Sequence, residues 1–93
     1  MHILWTRGAK RNLEQVEEYI AKDNPQAAID VVLKIIKSVE ALADNPAMGR
    51  VGRVFSTREL IISRTPYIVP YRVKAGHIEI LRVLHSAMQW PES

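Results

Sequence analysis

The side chains best suited to chemistry lie in the second half of the chain: Arg50, Arg53, Arg58, Arg64, Arg72, Arg82 and His85. A guanidinium presents a planar fork that fits phosphate or carboxylate. A histidine beside such groups can move a proton near neutral pH, and arginines can hold the charge that develops on a phosphate. Together these types describe RNA cleavage without a metal, with the ribose 2′-OH as nucleophile. The plainer reading is a basic surface for an anionic partner, with His85 capping the end of a strand.

Other chemistries find less support. The histidines His2, His77 and His85 form no i,i+4 pair and no HExxH, so no metal site or other cofactor is expected. Gly49-Arg50-Val51-Gly52 lacks the Lys-Ser/Thr of a phosphate-binding loop, and there is no GxGxxG. With no cysteine and no serine in a GxSxG turn, a nucleophilic triad has no visible anchor. Glu59 and Glu79 lie close to arginines and are expected to form ion pairs.

Charge sharpens the asymmetry. Residues 1–49 carry six basic and seven acidic side chains, net −1, whereas residues 50–85 carry seven basic and two acidic, net +5. Six of those seven cations are arginines. The second half is therefore built to meet an anion.

The elements that must position these groups are legible from periodicity. Arg58 to His85 holds three β-rich runs, Glu59–Ser63, Tyr67–Val73 and Ile78–Leu84, separated by Thr65-Pro66 and Ala75-Gly76. They form an antiparallel meander, which is too small to be stable alone. A short strand at Ile3–Thr6, ended by Gly8, precedes a helix over Ala9–Lys22 and a second over Pro25–Ala43, with Asn24 as N-cap. Ala28, Val32, Ile35, Val39 and Leu42 give the second helix a stripe that must bury against the meander. Ala47–Val54 reads as a loop.

Pairing Val73 with Ile78 sets Tyr71 opposite Ile80 and Arg72 opposite Glu79; Ser63 is paired with Ile68. One sheet face then carries Leu60, Ile62, Tyr67, Val69, Tyr71, Val73, Ile78, Ile80 and Leu84 and receives the helices. The other mixes Ile61, Ile68, Pro70, Leu81 and Val83 with charged residues and His85, and reads as a half-apolar partner face. Pro70 has no N–H to donate, which implies an edge or a bulge. The fold class is α+β: an N-terminal strand, then an antiparallel helix hairpin packed on a C-terminal three-stranded antiparallel meander.

At 93 residues the chain is a single domain, residues 1–93, and 47% hydrophobic content is enough for a packed core. Absence of cysteine suits the cytoplasm. No apolar run reaches the ~20 residues that span a bilayer, and the N-terminus lacks the basic start of a signal peptide, so no membrane partner is expected.

The whole layout resembles the RelE/ParE superfamily of toxins from bacterial type II toxin–antitoxin modules. The resemblance rests on the order of elements, on Asn45-Pro46-Ala47-Met48-Gly49-Arg50, on Tyr67-Ile68-Val69-Pro70-Tyr71-Arg72-Val73, and above all on Ile78-Glu79-Ile80-Leu81-Arg82-Val83-Leu84-His85-Ser86-Ala87-Met88. It covers roughly residues 1–90. It implies a growth-inhibiting toxin neutralised by a cognate antitoxin, which should be acidic or amphipathic where it binds and should cover the exposed sheet face and groove. Two targets are implied by the two branches: DNA gyrase for ParE-like members, the ribosome and its mRNA for RelE-like ribonucleases. The ribonuclease branch carries an arginine where this chain has Ile68-Val69, and an arginine and often a tyrosine beyond the last strand, where this chain has Ser86-Ala87-Met88-Gln89-Trp90. The ending Leu84-His85-x-x-Met88 is more similar to ParE. The expected function is therefore gyrase poisoning, with the six arginines as target-binding residues. The alternatives are a ribosome-dependent ribonuclease using His85, or a non-toxic nucleic-acid-binding module.

Overall fold

A computed structural model describes residues 1–91. Its elements are β1 (His2–Trp5), α1 (Arg7–Ala21), α2 (Pro25–Glu40) followed by a 3-10 turn (Ala41–Ala43), β2 (Arg50–Val51), β3 (Arg58–Ile61), β4 (Tyr67–Lys74), β5 (His77–Ile80) and β6 (Leu84–His85). The expected α+β arrangement is present. The sheet order is β1-β5-β4-β3-β2, with β6 also on β4. β1 lies parallel to β5, with Ile3 opposite Ile78 and Trp5 opposite Ile80. The other pairings are antiparallel.

α1 begins two residues earlier than its periodicity suggests. Thr6 is the N-cap: its Oγ1 accepts from the Ala9 amide at 3.2 Å and donates to Ile80 O at 2.7 Å. Gly8 therefore does not end a strand. It sits in the first helical turn, where a Cβ would come within 2.3 Å of the Arg82 guanidinium. α2 opens as expected, with Asn24 Oδ1 accepting from Ala27 N and Pro25 at the first helical position.

The helix pair buries Ala9, Val16, Ile35, Val39 and Leu42 against Leu60, Ile62, Tyr67, Val69, Tyr71, Ile78, Ile80 and Val83 of the sheet. Removal of these apolar surfaces from water, about 25 cal/mol per Å², drives the packing.

The β4–β5 register is the expected one, Val73 opposite Ile78 and Arg72 opposite Glu79. The β3–β4 register differs by two: Ile61, not Ser63, faces Ile68. A shift of two preserves side-chain parity, so the helix-facing residues of β3 are as expected. The Val51 region is not all loop, because β2 adds an edge strand to β3.

The last expected strand is broken. β5 ends at Ile80, Leu81–Val83 leave the ladder, and β6 resumes with Leu84 opposite Ile68 and His85 opposite Tyr67. The cause lies in β4. Pro70 O accepts from Leu81 N at 2.9 Å, so the hydrogen-less Pro70 nitrogen faces the same neighbour. With no donor there, the partner strand bulges. The bulge exchanges the faces beyond it. Val83 joins the helix-side core, Leu84 is buried on the opposite side, and His85 shares the side of Tyr67. The expected exposed half-apolar face is mostly absent: Ile68, Pro70 and Leu84 are buried, and Ile61 stands out at 55% exposure.

Candidate functional site

Four of the six arginines gather at one end of the sheet. Glu59 on β3 anchors two of them, Arg50 and Arg53. Its side chain is 1% exposed, and it receives Arg50 Nη2 at 3.0 Å and the Arg53 amide at 2.9 Å, with Arg53 Nε at 3.5 Å. Burial alone would raise its pKa. The Arg53 amide, the Arg50 hydrogen bond and the two positive charges outweigh that and hold it below the ordinary carboxylate value. Arg58 reaches back to Gly49 O at 2.8 Å, and Arg72 Nε pairs with Glu79.

The loop they support is tightly built. Gly52 N donates to Thr57 O at 2.9 Å and Thr57 Oγ1 donates to Val54 O at 2.6 Å. A Cβ on Gly52 would lie 2.2 Å from Thr57 Oγ1, which reserves the position for glycine. Tyr71 fastens the loop's root from the core: its hydroxyl donates to Pro46 O at 2.7 Å and accepts from Gly49 N at 2.9 Å. Arg53, Arg58 and Arg72 line a surface cavity of about 620 Å³ with Val51, Phe55 and Val73.

Arg64 and Arg82 are not part of this group. Arg64 occupies the β3–β4 turn at φ 60° and is exposed. Arg82 lies in the bulge, donates to Leu81 O at 2.7 Å, packs on Gly8 and stands 6.0 Å from the centre of the Trp90 ring.

His85 belongs to a second region. It meets Tyr67 edge-on at 5.8 Å, and its Nδ1 accepts from Ala87 N at 3.1 Å. That bond engages the Nδ1 lone pair, so in the neutral ring Nε2 carries the hydrogen and is a donor. The surrounding groove of about 450 Å³ is lined by Asn12, Gln15, Val16 and Tyr19 of α1 together with Pro66, Tyr67, Val83, His85 and Met88. Burial, with Tyr19 nearby, raises the Tyr67 pKa, so its phenol stays neutral at physiological pH.

These two regions occupy opposite ends of β4. Six residue steps lead from Tyr67 to Val73, which is ~20 Å along an extended strand.

Residues 3–90 match the family model described as "ParE toxin of type II toxin-antitoxin system, parDE". The chain belongs to the ParE toxin family. It is 50% identical over 90 residues to the toxin candidate Y4kP of Sinorhizobium fredii, covering 97% of this chain and 93% of that one. It is 32% identical over 85 residues to Toxin RelE2 of Caulobacter vibrioides, covering 91% and 94% of the two chains. A structure titled as the chromosomal ParDE TA system from P. aeruginosa contains a chain that superposes with a TM-score of 0.82 at 33% identity, over 91% of this chain and 95% of that one. This ParE-family protein is thus the toxin of a type II toxin–antitoxin pair, with a cognate antitoxin as its partner.

Sequence reading overlooked Phe55 and Val51, which are 95% and 80% exposed. Neither has a periodic signal. The available cue was a lone phenylalanine just beyond an Arg- and Gly-containing loop.

Proposed function

We propose that this toxin arrests growth by poisoning DNA gyrase, with the arginine end of the sheet as the surface that meets its target. The observation that supports this reading is the separation of His85 from the arginine cluster. Cleavage at a ribose 2′-OH needs a proton-transfer group and a charge stabiliser on the same phosphate. Among the described residues, those lining the groove around His85 include no arginine or lysine. Arg50, Arg53, Arg58 and Arg72 lie at the other end of β4, and the bulge cation Arg82 is engaged with Leu81 O and Trp90. Gyrase acts in the cytoplasm, so this reading places the toxin there. No helix of the described residues is long and apolar enough to cross a membrane.

The ribonuclease alternative draws on one observation, the exposed His85 edge-on to Tyr67 in a groove. One experiment separates the two. Purified toxin is added to gyrase with supercoiled DNA, and in parallel to ribosomes carrying a defined mRNA. The proposal expects trapped gyrase–DNA cleavage complexes and intact mRNA, unchanged by His85→Ala. Cut mRNA with unaffected gyrase, abolished by His85→Ala, would overturn it.

A further inference from the structure

The histidines show no metal-ligand spacing along the chain, but the fold pairs two of them. β1 runs parallel to β5 with His2 directly opposite His77. Opposed residues on neighbouring strands leave the same face of a sheet. Here it is the face away from the helices, because the alternating residues Ile3, Trp5, Ile78 and Ile80 pack into the core. Both imidazoles are exposed. Their ring centres lie 5.6 Å apart, with the planes at 72°. Two imidazoles on one metal ion, with metal–nitrogen bonds of about 2.1 Å, hold their ring centres about 5 Å apart. The pair can therefore chelate an ion without backbone movement. A turn about χ2 of each exposed ring presents the lone pairs.

We propose that His2 and His77 form a two-imidazole chelate for a divalent transition-metal ion of the nickel, copper and zinc group. Ligand type selects that class: neutral imidazole suits these ions, whereas magnesium and calcium take oxygen. The surroundings keep the site bidentate. Glu79, next along the same face of β5, is engaged by Arg72, and Lys74 stands opposite His77 on β4. Among the described residues, no third histidine or carboxylate completes a cluster with this pair. Water fills the remaining positions on the ion. β1 has a strand neighbour on one side only, so the bound ion clamps the edge of the sheet to β5 and stabilises the folded chain. Neither histidine lines the arginine cavity or the His85 groove, so the inference does not depend on which target the toxin attacks.

The test is a calorimetric titration of tag-free toxin with nickel chloride, with magnesium chloride as the comparison and thermal melting alongside. Wild type is expected to bind a single Ni2+ and no Mg2+, and an excess of Ni2+ to raise its Tm by about 10 °C. His2→Ala and His77→Ala should each weaken Ni2+ binding about 100-fold, the advantage of two donors held together. The double variant should lose nothing further, because either single change already destroys the chelate. His85→Ala, on β6, should stay within about 2-fold of wild type, as a distant independent site does. All three histidines are exposed, so without metal the variants should melt close to wild type. Wild-type Ni2+ affinity in His2→Ala or His77→Ala overturns the proposal. So do losses that add in the double variant, a loss of binding in His85→Ala, or equal binding of Mg2+, each of which would mark an adventitious ion only.

Discussion

The two ends of β4 are built on opposite plans. At the Arg72 end the chemistry is ionic and heavily braced: a buried carboxylate, two arginines upon it, a tyrosine hydroxyl spanning Pro46 and Gly49, and a closed loop above. At the Tyr67 end an aromatic and aliphatic groove lies under α1, with His85 held by a single backbone amide and an edge-on ring. One end spends its interactions on fixing cations in space, the other leaves its titratable group lightly held. On the proposed reading, the braced end is where binding geometry is preorganised.

The contrast can be broken most severely at Glu59. Glu59→Ala removes the shared anchor of Arg50 and Arg53 and leaves a void in a buried site. It should cost about 2–4 kcal/mol by urea unfolding, within the range for a broken, partly buried network, and should release the loop to fast amide exchange at Arg53. Unchanged exchange would show that the loop holds itself. Tyr71→Phe comes next. It keeps the ring and strands Pro46 O and Gly49 N, for an expected loss of about 1–3 kcal/mol.

A pH series reads the same anchor without mutation. The Glu59 pKa is depressed in the folded state, so its stabilisation is fully present above the unfolded value of about 4.3. It fades as pH falls through the lower folded value. Wild type should therefore lose stability more steeply than Glu59→Gln as pH falls below about 4; parallel curves would remove Glu59 from its assigned role. The smallest effect is expected at the other end. His85→Ala should cost at most about 1 kcal/mol, the worth of an edge-on aromatic contact on an exposed side chain, and should leave gyrase poisoning intact.

Much of this is legible in the sequence. The helix stripe, the Asn24-Pro25 start and the hairpin register Val73–Ile78 followed from spacing, because burial on one face enforces a period. The Glu59 and Glu79 ion pairs followed from local charge. What escaped was tertiary. Gly8 reads as a terminator until Arg82, 74 residues away, is seen to require the space. Pro70 signals irregularity, but not that its neighbour strand would supply it. The arginines gave the charge of the site. Which four converge depended on the β2 pairing, a two-residue strand too short to declare itself.

That irregularity opposite Pro70 also bears on how the chain end evolves. The hairpin before it and the residues after it count their alternation from different origins. The pairings Tyr71–Ile80 and Ile68–Leu84 differ by one residue in register, so losing one codon between Leu81 and Val83 would remove the bulge while leaving Leu84 opposite Ile68 and His85 opposite Tyr67. A single in-frame deletion there would straighten the strand and keep the terminal face as it is.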